Sequence, residues 1–191
     1  MKKILLFLIA ISCVFGINLQ DIKPKMQSDL DEAMAIVSKK TSVDQKSKEL
    51  FKVFDKYFDY KLMAKLSLGA PYKSLKKDEQ AKFESAFEKV LKKSFVDKLA
   101  VYTDEKIKII GDKQPNDSRY SLNTQINDSK GNKYDIIFKF YKKSSSDYYV
   151  YDVDLMGVSL IQTYKAQFSD LDSKADINTI LNRLQASQTS K

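Results

Sequence analysis

Histidine and tryptophan are absent from this 191-residue chain, and cysteine occurs once, at position 13. No Ser-His-Asp triad, Cys-His pair or His-ligated metal site can be assembled from such a set. A single cysteine also excludes a disulfide framework and a cysteine-ligated zinc centre. Five glycines and three prolines are too few for a collagenous or linker-rich chain. Arginine is scarce too: Arg119 and Arg183 stand against 31 lysines. Arginine is the usual reader of base edges, through its bidentate fork, so this poverty argues against a nucleic-acid partner. An enzyme built from what remains would work through carboxylates, Lys, Tyr, Ser or Thr. No motif asks for a cofactor or a metal.

What is present is an ordinary globular composition, 43% hydrophobic and 30% charged, with a formal net charge of +8. The N-terminus has its own character. Lys2 and Lys3 precede an unbroken apolar run from Ile4 to Ile11, continued through Val14 and Phe15. The run is too short for a membrane span of about 20 residues. It reads as a secretory signal peptide, residues 1–16, with Val14 and Gly16 as the small residues at minus three and minus one. A cut before Cys13, as in a lipoprotein, is the rival. Removing residues 1–16 leaves 31 basic against 25 acidic residues and no cysteine, which suits an oxidising compartment. Twelve lysines and seven acids between residues 61 and 108 hold most of the remaining excess.

Residues 17–191 read as one domain. Leu30, Ala33, Met34 and Val37 form a helical stripe over 29–40, and Leu50, Phe51, Phe54 and Phe58 form another over 46–58. A short helix over 60–68 is closed by Gly69 and Pro71. The longest helix is predicted from Lys77 to Tyr102, with Phe83, Phe87, Val90, Leu91, Phe95 and Leu99 on one face. The period then changes to two. Strands are predicted over 119–126, 133–142 and 148–156, separated by turn clusters at 127–132 and 144–147, with a fourth strand over 105–110. Helices over 158–168 and 177–184 and a polar tail from Gln185 close the chain. Helices, then an antiparallel meander, then helices make an α+β fold.

The sheet has one aromatic-rich apolar face, and the long helix is its expected cover. Tyr151, Val153 and Leu155 are expected to share a face with Ile136, Phe138 and Phe140, opposed by Phe87, Leu91 and Phe95. Such residues fill a core or, if helix and sheet stay apart, line an apolar cavity; periodicity alone does not separate the two. Asp152 and Asp154 are expected on the other face, hydrated or paired with Lys.

Two stretches are less generic. Phe58-Asp-Tyr-Lys-Leu-Met-Ala-Lys-Leu-Ser-Leu-Gly69 is followed by Glu79-Gln-Ala-Lys-Phe83 and Phe87. Val150-Tyr-Asp-Val-Asp-Leu-Met-Gly-Val-Ser-Leu-Ile-Gln-Thr-Tyr-Lys-Ala-Gln-Phe168 forms the second. Their order and spacing resemble the MlaC family of periplasmic phospholipid-binding proteins, also called toluene-tolerance proteins, over most of residues 25–185. Met156 departs from that pattern, standing where the family usually has Glu before the Gly. The resemblance implies an NTF2-like fold with an apolar cavity for acyl chains, Met63 and Leu66 joining the strand and helix residues in its wall. It implies a phospholipid ligand. It also implies shuttling in the periplasm between an outer-membrane lipoprotein complex and an inner-membrane ABC transporter, which maintains outer-membrane asymmetry. The protein is expected to act as a monomer, and Lys89, Lys92 and Lys93 are the expected docking residues. Two other readings stay open: an exported enzyme on an NTF2-like scaffold, and a cationic adaptor with a filled core and no lipid cargo.

Overall fold

A computed structural model describes residues 16–99, 106–128 and 130–186. Residues 1–15 of the signal-peptide reading, Tyr102, Glu105 of the predicted fourth strand and residues 187–191 of the polar tail lie outside the described residues. Among the described residues, seven α-helices and five strands follow one another as α1 (Leu19–Val37), α2 (Val43–Phe54), α3 (Tyr60–Leu68), α4 (Ala70–Ser74), α5 (Lys77–Leu99), β1 (Lys106–Asn116), β2 (Arg119–Asn127), β3 (Lys133–Lys142), β4 (Tyr148–Leu155), β5 (Val158–Ser159), α6 (Leu160–Gln167) and α7 (Ile177–Ala186), with a single 3-10 turn at Asp55–Tyr57 between α2 and α3. The five strands form one antiparallel sheet in sequence order, so the α+β meander stands, with five strands instead of about four.

The differences from expectation have local causes. The first helix begins ten residues early, because Ile22 and Met26 continue the stripe of Leu30 and Ala33 and all four are buried. Pro24 lies inside this helix. Gly69, at φ +69°, ends α3 and at once precedes α4, whose first turn holds Pro71. A glycine takes this left-handed φ without a Cβ penalty, and a proline suits a helix start, so the tripeptide Gly69-Ala70-Pro71 both stops and restarts a helix. Val158 and Ser159 leave the helix expected over 158–168 and pair instead with Leu155 and Asp154 as β5.

Two layers of apolar packing result. The inner face of the sheet buries Leu122, Phe138, Phe140, Val150 and Val153 against Ile22 and Met26 of α1 and Tyr57. A second cluster joins Met63 and Leu68 of α3, Phe83, Phe87 and Leu91 of α5, Ile161 and Tyr164 of α6, and Ile180 and Leu184 of α7. The long helix is therefore not the main cover of the sheet. It packs on α3, α7 and α2, while α1, α3 and α6 lie against the strands.

Candidate functional site

The inner face is built row by row through the strand register. Tyr120, Phe140 and Val150 form one row, and Leu122, Phe138 and Val153 the next. Ile109, Thr124, Ile136, Leu155 and Val158 form a third row, which crosses all five strands. Residues directly opposite in a ladder share a face, so each row is continuous. Thr124 fits among hydrocarbons because its hydroxyl donates to the Ile136 carbonyl at 2.9 Å. Burial falls along the strands. Phe140 and Val150 are closed off beneath α1, whereas Ile136 and Leu155 are half-buried and Val158 is exposed. The apolar face is sealed at one end and open at the other.

Two helices reach this face from β4, and buried carboxylates hold them there. Asp59 accepts the Leu62 N–H at 3.0 Å, which caps α3, and also binds the Tyr141 hydroxyl and Lys143. Its own N–H donates to the Val150 carbonyl. Burial works to raise the Asp59 pKa, but Lys143, Tyr141 and the Leu62 N–H outweigh it, and the carboxyl titrates below the usual range. Asp152 accepts the Ile161 N–H at 3.1 Å, the Ser159 hydroxyl at 2.7 Å and Lys139 at 3.1 Å. This fastens the start of α6 to the sheet. Lys139 also pairs with Asp154 at 2.6 Å, so both aspartates of β4 are partners of a lysine. Asp59 and Asp152, one in each motif stretch, seat α3 and α6 against the sheet.

The expected wall residues divide. Ile136, Phe138, Phe140, Val153 and Leu155 share the inner face as expected. Tyr151 does not. Lys139 pairs with Asp152 but Phe140 with Val150, so a β-bulge leaves Tyr151 without an opposite partner. One extra residue turns the alternation over. Val150 takes the inner place, while Tyr151 meets Tyr141 edge-on at 6.1 Å beneath the Arg119 guanidinium. Leu66 is also misplaced. It lies on the solvent side of α3, 36% exposed, while Met63 is fully buried. Phe87 and Leu91, with Phe95 packed on them, belong to the helical cluster and not to the sheet cluster. Phe58 and Leu160 pack against both and link them.

The expected docking lysines divide as well. Lys89 and Lys93 are exposed. Lys92 is tied inward, at 2.7 Å from both Asp55 and Glu88, and its ammonium lies over the rings of Tyr60 and Phe51. Burial works to lower its pKa, but Asp55 and Glu88 outweigh that and raise it. Sequence reasoning missed this because Asp55 lies 37 residues away. Two open grooves, of about 390 and 680 Å³, lie elsewhere: one between Leu75 and Ile177, the other along α5 beside Lys82, Lys89 and Val90.

With this geometry in view, three comparisons bear on the site. A family model described as "MlaC protein" matches residues 27–186. The intermembrane phospholipid transport system binding protein MlaC of Haemophilus influenzae is 26% identical over 124 residues, 63% of this chain and 58% of the relative's length. The chain thus aligns with rather more than half of that relative. A phospholipid-binding protein from Ralstonia solanacearum, solved in complex with a phospholipid, superposes with a TM-score of 0.74 at 19% identity, over 90% of this chain and 99% of that one. At that identity the likeness speaks for the fold.

Proposed function

The chain belongs to the MlaC family, and from that premise we propose that it is a carrier of phospholipid. One observation carries the reading. A row of side chains, apolar apart from the buried Thr124, crosses all five strands, half-buried at Ile109, Ile136 and Leu155 and exposed at Val158, beneath helices whose own apolar faces form a separate cluster. Acyl chains entering at the open end would part the two layers, with Phe58 and Leu160 as the side chains that give way. The energetics demand such a sheath. Exposing an acyl chain costs about 0.8 kcal/mol per CH₂, or roughly 12 kcal/mol for sixteen carbons. The headgroup stays wet at the open end. The relatives named for phospholipid binding and transport support the same ligand.

The finer parts belong to the same proposal. Residues 1–16 are an export leader, and the mature chain begins near Ile17. In support, Ile17 is already part of the fold: its N–H donates to the Tyr148 carbonyl at 3.2 Å, and its side chain is buried in the sheet cluster. The mature protein works in the periplasm as a monomer and moves lipid between an outer-membrane lipoprotein complex and an inner-membrane ABC transporter. Exposed lysines such as Lys89 and Lys93 promote encounter with those partners, a rate effect that salt screens.

The test is to purify the exported protein, extract it with organic solvent and identify the extract by mass spectrometry. Phospholipid in stoichiometric amount is expected. A protein that binds its membrane partners but never yields phospholipid would be the cationic adaptor instead.

A further inference from the structure

The hairpin between β4 and β5 carries a combination that folding alone does not favour. Its two loop residues are Met156 and Gly157, at φ +52° and +83°. Two positive φ values in a two-residue loop define a type I′ turn, whose preferred pair is Asn-Gly. Glycine suits the second position. Methionine at the first is costly, because a left-handed φ crowds its Cβ and its side chain cannot bond locally as Asn does. The Met156 N–H donates to the Asp135 carbonyl at 2.8 Å, so the backbone is held in this form. Exposure adds a second cost: Met156 is 66% exposed and Val158 58%, the two most exposed large apolar side chains among the described residues.

Their position supplies the reason. Val158 is the register partner of Leu155, which pairs in turn with Ile136. The hairpin therefore prolongs the five-strand apolar row at its open end. We propose that Met156 and Val158 form the lip of the lipid portal and cover the part of the cargo's acyl chains nearest the glycerol. This rests on the carrier reading and assigns residues to it. The occupant is the bound phospholipid itself, since the row that leads outward to Val158 is the row that takes the chains inward. An unbranched thioether adapts to a chain whose length and unsaturation vary. Contact with bound lipid at this lip offsets the strain of the turn and covers the exposed side chains.

The experiment loads the full mature protein with fluorescent phosphatidylglycerol and follows release to acceptor vesicles of phosphatidylcholine. Met156→Asn restores the preferred turn pair, so its unfolding midpoint should rise above that of the wild type. Release should nevertheless become about tenfold faster, since an apolar contact of side-chain size is lost. Val158→Thr should act the same way on release, and Met156→Leu should keep the wild-type rate. A gain in stability together with a loss of retention is the signature of a functional residue rather than a structural one. Wild-type release rates in both Met156→Asn and Val158→Thr overturn the lip and leave the carrier intact. A wild-type protein that takes up no lipid overturns both.

Discussion

Reversing the charge of Lys92 should destabilise the protein, whereas reversing its neighbour Lys89 should not. Both residues lie on α5 and read alike in the sequence. Lys92 is 21% exposed and bonds Asp55 and Glu88 at 2.7 Å each, with two aromatic rings beneath its ammonium. The carboxylates are each 40% exposed, so water screens the pairs and a low-dielectric figure would be wrong. A charged hydrogen bond between elements contributes about 1.5 kcal/mol, the helix-internal pair about 0.3, and the cation–π contacts about 0.5 together. Losing all three in Lys92→Met should cost about 2 kcal/mol. Lys92→Glu adds repulsion from two carboxylates and should cost about 3 kcal/mol. For a chain of this length that lowers the melting temperature by about 6–12 °C. Lys89→Glu should stay within about 0.5 kcal/mol of wild type. Urea unfolding with a double-mutant cycle on Lys92 and Asp55 measures the coupling directly. A Lys92→Glu midpoint equal to that of Lys89→Glu, or a coupling near zero, would refute the idea that Lys92 holds α5 to the segment before α3.

Other perturbations separate face from face. Val150→Asp should cost several kcal/mol and Tyr151→Asp about 1 kcal/mol, because the bulge buries the first and leaves the second at the outer face; equal costs by urea unfolding would mean that the bulge is absent. Ile136→Asp should fold, since the site is half-buried, yet carry several-fold less phospholipid by mass spectrometry; a wild-type lipid content would remove Ile136 from the acyl path. Asp59 has a lowered pKa, so its contribution is present above its unfolded value of about 3.9 and is lost as pH falls through the lower folded value. Asp59→Asn should therefore lose about 2 kcal/mol at pH 7 and lose less further stability than wild type below about pH 4; parallel acid-unfolding curves would count against that role. Reversing Lys89 and Lys93 should slow lipid transfer to the membrane partners at low salt and leave bound lipid in place, as read by transfer of labelled phospholipid at two salt concentrations; transfer that ignores both salt and substitution would place docking elsewhere.

Local pattern was enough for most of the elements and their order, but not for α4, for β5 or for the start of α1. Stripes at three and four residues marked the helices, alternation marked β2 to β4, and turn clusters made the meander antiparallel. Composition removed histidine and cysteine chemistry before any coordinate was needed, and two motif stretches pointed to the family. Three decisions belonged to tertiary structure. A stripe shows that a helix has an apolar face but not what meets it, so Phe87 and Leu91 turned toward α3, α6 and α7 while Ile22 and Met26 covered the strands. Alternation has a period of two, and a bulge adds one residue without any mark of its own, so Val150 and Tyr151 exchanged faces. A lysine's charge is written in its residue type, but its solvation depends on what folds beside it, and for Lys92 that was an aspartate 37 residues away.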